Sequence, residues 1–440
     1  MTENAQRPGT RALACRLLLQ CESRRSYANL ALDAALKREA LGPADSALCA
    51  ALVYGVMERR RTLDYQLEGL LAKPPGQLPP DTRAALRLGL YQLFYMERVP
   101  AHAAIYESVE LVKRSPKARH TAALVNAVLR SAQRQGLQLP EGDDDASLSV
   151  RYSCPEWLVR LWRESYPQDY LQLLEHSFDS GALVLRANPA KISAADLASL
   201  LGGSKLPWLP GAVRVDGCPV ASLAGYDEGL FHVQGAAAQL SCMALDPQPG
   251  DTMLDLCAAP GGKSFTCAEM MQDRGRVIAL ELHENRVNLI RQGASRLGLS
   301  CIEAMQGDAR EACKILPDSA QIPRVLCDVP CSGLGIVGKK PDIREKIHEE
   351  LDKLPEMQYA ILNAGAQCLA PGGILVYATC TLRPAENEGV CRRFLQTHPQ
   401  FRALPALPAI PGLRGEESFL TLMPHISNTD GFFIARFTTS

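Results

Sequence analysis

The chain has 440 residues, 47% hydrophobic and 22% charged, which is the composition of a globular protein of two or three domains with a large core. No run of 18 apolar residues occurs and Met1–Thr10 is polar with no apolar stretch behind it, which argues against a spanning helix or a secretory leader. The 15 cysteines, odd in number and several of them in apolar stretches, predict reduced thiols in a cytoplasmic protein; with no C-x-x-C pair, no metal site is expected.

The formal net charge of −1 conceals an asymmetry, because residues 1–140 carry 20 Lys and Arg against 12 Asp and Glu. In that third, apolar residues recur at three- and four-residue spacing in Arg11–Cys21, Asn29–Glu39, Ala44–Arg60, Thr62–Leu71, Asp81–Met96, Ala103–Arg114 and Ala118–Gln135, and each is predicted to be a helix. Prolines punctuate them, and Asp81 is the expected N-cap of the fifth. Glu58–Arg61, Arg83 with Arg87, and Lys113–Arg119 are basic clusters whose guanidinium forks suit phosphates. The alternative is a solvated helical face that happens to be basic. Leu48–Arg61, Leu86–Tyr95 and Val125–Arg130 resemble the NusB-type RNA-binding helical domain, a likeness covering roughly residues 5–135.

Glu141–Asp145 reads as an acidic linker. Arg151–Tyr170 follows, with Trp157 and Trp162 as expected core anchors, and Ala182–Asn188, Leu206–Leu209 and Phe231–Gln234 read as short strands. Residues 1–140, 150–240 and 241–440 are therefore expected as an all-α domain, a small α+β subdomain and an α/β domain. Leu404–Pro411 is a proline-punctuated loop.

The α/β part opens with Asp251–Leu256, a short apolar strand, and Pro260-Gly-Gly-Lys263 leading into a helix. Such a turn aims backbone N–H groups above the sheet and its glycines admit a ligand closely, although neither common phosphate-binding glycine motif is present. Arg276–Glu281, Cys301–Asp308, Arg324–Pro330 and Gly373–Cys380 read as further strands, predicting a Rossmann-like, mostly parallel sheet. Glu281, about twenty residues past the glycines, is placed for ribose hydroxyls, and Asp308 for the exocyclic amine of adenine. Cys331 and Cys380 both follow strands at this edge, one beside Asp328 and the other between two threonines. A strand-end cysteine is ordinarily a small buried hydrophobe. Thiols placed there also suit methylation of a pyrimidine C5, which becomes nucleophilic only after a thiolate adds at C6. Asp328 could then bond the N3/N4 edge of a cytosine.

Leu256–Lys263, Asp328–Ser332 and Tyr377–Thr381 resemble the RNA 5-methylcytosine methyltransferases of the NOL1/NOP2/Sun family, over roughly residues 150–440. With a NusB-type domain in front, the likeness is to bacterial enzymes of the 16S (small-subunit) rRNA, and it implies cytosine 967 as the target. It implies Cys380 as nucleophile, Cys331 assisting proton removal or product release, and Asp328 and Lys263 beside the target base. It implies contacts to S-adenosyl-L-methionine, leaving as S-adenosylhomocysteine, from Cys257, Ala258, Ala259, Pro260, Gly261, Gly262, Lys263, Glu281, Arg286, Asp308 and Asp328. The expected partner is 16S rRNA, naked or in an early assembly intermediate, bound by a monomer without a membrane.

Three positions depart from the family pattern: Glu281 where Asp is commoner, Gly338-Lys-Lys340 where two arginines often stand, and Pro384-Ala-Glu-Asn387 where Glu is usual at 385. DNA cytosine methyltransferases carry the nucleophile in the Pro-Cys motif, so a second cysteine at 380 favours RNA. Other readings stay open: a tRNA or another rRNA as substrate, an amino-group methyltransferase, which would want an aromatic in Asp328–Cys331, or a non-catalytic NusB-like antitermination factor.

Overall fold

The computed structural model of the protein describes residues 9–24, 28–216, 223–316, 321–407 and 418–439. The chain forms two compact units, one running up to Phe178 and taking in Lys340–Lys346, the other comprising Asp179–Lys339 and the residues from Ile347 onward.

The first unit is all helical. Helices α1 (Thr10–Arg24), α2 (Ala28–Glu39), α3 (Pro43–Glu58), α4 (Arg60–Leu70), α5 (Pro80–Tyr95), α6 (Ala101–Arg114) and α7 (Ala122–Gln135) follow the apolar periodicity. Helix α5 is buried along most of its length, from Thr82 through Gln92, because it is apolar on nearly every side and forms the centre of the bundle. Its start differs from expectation. Pro79 occupies the N-cap and Pro80 the first turn, so Asp81 lies inside the helix, where the proline ring presets φ and the carboxylate still faces the positive helix end.

The acidic stretch before residue 145 is more than a linker: Asp144 caps α8 (Asp145–Tyr152) by accepting from Ser147 N at 3.0 Å. Helices α9 (Glu156–Ser165) and α10 (Tyr170–His176) complete the unit, with Trp162 buried and Trp157 half-buried. Arg344, from the inserted segment, is buried here and donates to the carbonyls of Tyr152 (2.8 Å), Ser153 (3.1 Å) and Ser177. A guanidinium has five donors, and carbonyls at several of them offset its loss of water.

The second unit begins with an antiparallel sheet of order β2-β3-β1-β4, built from β1 (Leu183–Ala187), β2 (Ser204–Lys205), β3 (Ala212–Val215) and β4 (Phe231–Val233), with α11 (Ala194–Leu201) against it. The strand expected at Leu206–Leu209 is instead a turn between β2 and β3, closed by Leu209 N to Leu206 O at 3.1 Å. Pro207 and Pro210 cannot donate to a ladder, and they convert an apolar run into a corner.

Helix α12 (Ala236–Leu245) leads into an eight-stranded sheet of order β10-β12-β9-β8-β5-β6-β7, with β11 on the outer side of β12. Its parallel part is β5 (Thr252–Asp255), β6 (Arg276–Glu281), β7 (Ile302–Gln306), β8 (Ile322–Asp328) and β9 (Leu369–Thr379). The intervening helices are α13 (Gly262–Met270), α14 (Glu284–Leu297), α15 (Ala312–Ile315), α16 (His348–Leu351) and α17 (Leu354–Cys368). After α18 (Glu388–Thr397) come β10 (Phe401–Leu404), β11 (Phe419–Leu422), α19 (Pro424–Ser427) and β12 (Phe432–Thr439), which runs antiparallel to β9. The loop expected over Leu404–Pro411 begins at the end of β10; its residues 408–411 lie outside the described residues.

Successive strand residues feed opposite layers, Met253 one apolar cluster and Leu254 the other, as a two-residue side-chain period requires in a sheet covered on both faces. Strand β5 sits between β6 and β8, where the strand order reverses. Ligands of such sheets bind at the carboxyl ends of the strands at that point.

Candidate active site

Strand β5 ends at Asp255, fully buried, whose Oδ2 accepts from Ser264 Oγ at 2.7 Å and so ties the strand end to α13. Burial lifts the Asp255 carboxyl to about 6. Between them runs Leu256–Gly261, with a cis peptide before Pro260. Gly261 has φ 112°, a conformation side chains avoid, and a Cβ there would meet the Phe265 ring at 2.3 Å; only glycine lets the loop fold onto the helix. A Cβ on Gly262 would meet Gln234 and the Val233 carbonyl at ordinary van der Waals distance, 3.9 Å.

The neighbouring strand delivers Glu281, which is buried. Its Oε1 accepts from His283 N at 3.1 Å and from Arg286 Nη1 at 3.3 Å, while Arg286 Nη2 reaches Ala259 O at 3.0 Å. One arginine therefore links the acid to the loop expected to share a ligand with it. Asp308, just past β7, accepts from Arg310 N (2.9 Å) and from its guanidinium. The Arg310 hydrogen bond holds this carboxyl below its usual range.

Strands β8 and β9 are adjacent and parallel, with Asp328 opposite Ala378, so the segments that follow them emerge side by side. Lys263 Nζ lies 2.5 Å from Asp328 Oδ2 and 5.5 Å from the centre of the Phe432 ring. Burial opposes the ammonium charge, yet the Asp328 carboxylate outweighs it and holds Lys263 protonated above its ordinary range. Cys331 Sγ and Cys380 Sγ are 3.3 Å apart. Its hydrogen bond to Cys380 pushes the Cys331 thiol well up, burial adds to this, and the charges of Glu386 and Asp328 act in the same direction.

The structure thus brings Cys380, Cys331, Asp328 and Lys263 to one edge of the sheet, with the Cys257–Gly262 loop after β5, Glu281 at the end of β6 and Arg286 on α14 beside them. Several site residues escaped sequence reading. Asn387 and Glu386, in the turn after β9, and Gln358 on α17 hold the two cysteine loops, and Ser332 Oγ lies 2.6 Å from Thr381 Oγ1. The Pro384–Asn387 motif was visible, but nothing in it states which backbone it grips. Close packing adds Gly335, whose Cβ would fall 1.9 Å from Gly431 O; it accepts from Gly431 N at 2.9 Å and donates to Cys380 O at 3.0 Å.

The basic clusters meet a different fate from the one expected. Arg87 is buried in a two-bonded pair with Asp64 at 2.7 and 2.8 Å, Arg83 and Arg60 both reach Glu22, and the Arg59 guanidinium stacks on Phe178 at 3.4 Å. These arginines hold the helical unit together and do not present free forks to phosphates. Lys113, Arg114, Lys117 and Arg119 are exposed.

No helix among the described residues is long and apolar enough to cross a membrane. The family model described as 16S rRNA methyltransferase RsmB/F matches residues 242–438, the NusB family residues 8–134, and the ferredoxin-like domain of RsmF/B-like methyltransferases residues 154–220. A protein of Synechocystis sp. described as a probable ribosomal RNA small subunit methyltransferase B is 38% identical over 97% of this chain and 98% of its own length. The ribosomal RNA small subunit methyltransferase B of Vibrio cholerae is 36% identical over 97% of this chain and 96% of its own. Among solved structures, a methyltransferase homologue from Pyrococcus horikoshii superposes with a TM-score of 0.59 at 26% identity, covering 68% of this chain and all of its own. With two full-length relatives above 30% identity and all three domain models in chain order, the chain belongs to the RsmB/F family of 16S rRNA methyltransferases and is an RNA methyltransferase with a NusB domain at its N-terminus.

Proposed function

We propose that the chain methylates C5 of a cytosine in 16S rRNA, position 967, with S-adenosyl-L-methionine as donor and a covalent bond between Cys380 and C6 of the base as intermediate. The observation that carries this reading is the pair of thiols 3.3 Å apart on neighbouring strand ends, beside the Lys263–Asp328 ion pair. The residues fit the donor: the Cys257–Gly262 loop leads into the first turn of α13 at the carboxyl end of β5, and Glu281 offers a buried carboxylate to hydroxyl donors. Arg286 bridges the two, and we assign Asp308, now paired with Arg310, to the adenine amine and Asp328 to the donor as well as the base. When bound, S-adenosyl-L-methionine supplies a methyl on a sulfonium and leaves as S-adenosylhomocysteine.

The chain's own residues do the rest. Two thiols this close cannot both be charged, and a proton kept on Cys331 can be donated across 3.3 Å to a thiolate at Cys380. Cys380, its proton lost to solvent, is then the thiolate that adds to C6, giving an S–C6 bond and an electron-rich C5. Asp328, held by Lys263 at 2.5 Å, accepts from the N4 amine edge of the base, and the Lys263 ammonium is the donor beside it. Once Cys380 is bonded to carbon, the partner that kept Cys331 protonated is gone. Cys331 ionises more readily, takes the C5 proton after methyl transfer, and the S–C6 bond breaks to restore the ring.

The helical unit supplies RNA affinity, and the substrate is the rRNA itself, naked or in an early assembly intermediate, bound by a monomeric, cytoplasmic enzyme. The test is radiolabelled methyl transfer to 16S rRNA from a strain lacking this gene, with the product base mapped. Label on C5 of cytosine 967 is expected. Label on an amino group, on tRNA only, or on nothing would overturn the reading.

A further inference from the structure

Both cysteines are flanked on both sides by groups that lead to one short turn. Gln358 Nε2 donates to Pro330 O at 3.0 Å, just before Cys331, and to Glu386 Oε2 at 2.8 Å. The same Glu386 oxygen accepts from Ser332 N at 2.9 Å, just after Cys331. Asn387 does the corresponding work around Cys380: its Oδ1 accepts from Thr379 Oγ1 at 2.6 Å and its Nδ2 donates to Thr381 O at 2.9 Å. The turn is anchored in turn by Tyr377, whose hydroxyl donates to Glu386 O.

Glu386 is fully buried, and a carboxylate in that position is costly unless donors surround it. Here Oε2 has two donors, and Oε1 faces Arg383 Nη1 at 3.8 Å. A charged acceptor spent on the peptide next to Cys331 holds that peptide's orientation more firmly than a neutral one would, since charge-assisted bonds are shorter and stronger.

We infer that Glu386 and Asn387 are positioning residues that divide the two thiols between them, Glu386 setting Cys331 and Asn387 setting Cys380. The inference rests on the two-thiol reading above. Its consequence is that neighbouring substitutions block opposite halves of the reaction. With Glu386→Gln, the Ser332 peptide is held less firmly and Cys331 fails to collect the C5 proton, while Cys380 still adds. With Asn387→Ala, the Cys380 segment is freed and addition itself fails.

The experiment uses the full chain, 16S rRNA lacking the modification, and single-turnover kinetics resolved into methyl transfer and release, with denaturing gels for the covalent adduct. Glu386→Gln should transfer methyl near the normal rate, slow release by about tenfold or more, the range of one lost charge-assisted hydrogen bond, and accumulate an adduct that vanishes with Cys380→Ser. In a Cys331→Ser background it should add little further loss. Asn387→Ala should form no adduct. Unchanged S-adenosyl-L-methionine affinity by calorimetry reports that each variant is folded; should Glu386→Gln not fold, Gln358→Leu, which removes the shared donor from another element, should show the same adduct more weakly. Equal slowing of both steps in both variants, or losses that multiply between Glu386→Gln and Cys331→Ser, would overturn the inference while leaving the reaction intact. A wild-type chain that makes no 5-methylcytosine would instead overturn the reaction, and the division of thiols with it.

Discussion

Cys331 Sγ lies 3.3 Å from Cys380 Sγ although 49 positions separate the two residues. Adjacent parallel strands, β8 and β9, bring them together, and the roles assigned to them are separable. Cys380→Ser should abolish turnover, because a serine hydroxyl is almost wholly protonated near neutral pH. Cys331→Ser should allow addition and methyl transfer but stall release, leaving a slow-migrating protein–RNA band that needs Cys380. An adduct in Cys380→Ser and none in Cys331→Ser would reverse the assignment.

Lys263 and Asp328 test the electrostatic setting of those thiols. Asp328→Asn leaves a largely buried ammonium without its counter-charge, and removing one partner of such a pair costs about 3–5 kcal/mol at full burial. Chemical denaturation should show a loss at the low end of that range, since the Asp328 side chain is 27% exposed. Adding Lys263→Met should recover part of it. A double-variant loss equal to the sum of the Asp328→Asn and Lys263→Met losses would mean that the pair is not coupled.

Asp255 makes a pH-dependent contribution of known sign. Its carboxyl is raised from 3.8 to about 6 in the folded chain, so the unfolded state ionises first as pH rises. Stability is therefore lost between those two values and is lower by a constant amount above them, about 3 kcal/mol at 1.36 kcal/mol per pH unit. Asp255→Asn should gain on the wild type across that window and keep the gain at pH 7, the two curves running parallel below about pH 4. Denaturant melts from pH 4 to 8 measure this, and a difference independent of pH would contradict it.

Glu281 and Asp308 bear on the methyl donor. Asp308→Ala should weaken S-adenosyl-L-methionine binding by about 1–3 kcal/mol, the cost of a lost hydrogen bond with a polar partner left over. Calorimetry showing unchanged affinity would remove Asp308 from the adenine site.

The basic residues divide into two classes with opposite expected behaviour. Replacing exposed Lys113, Arg114, Lys117 and Arg119 by Gln should leave folding intact and lower the salt dependence of RNA binding, each lost phosphate contact reducing the log–log slope by roughly 0.7–0.9. Arg87→Met should do the reverse, destabilising the helical unit by orphaning Asp64. A slope unchanged by the fourfold replacement would place the RNA elsewhere.

The sequence by itself determined the elements and the kind of chemistry. Helical periodicity marked α1 through α7, and apolar runs closed by glycine or acid marked β5, β6, β7, β8 and β9, because burial on one face or two leaves a period in the residues. The Leu256–Lys263 loop, Asp328–Ser332 and Tyr377–Thr381 were legible since loop geometry and thiol chemistry each demand particular residue types at short range. What only the tertiary structure decided is pairing across distance. Nothing local tells that Arg87 is consumed by Asp64 while Arg119 remains exposed, that Pro207 and Pro210 turn an apolar run into a corner, or that the Lys340–Lys346 segment, with Arg344, joins the helical unit. Glu386 and Asn387 are the sharpest case: their partners are backbone groups, which carry no sequence signature, and only the side-by-side placement of β8 and β9 brings Ser332, Thr379 and Thr381 within reach of one turn.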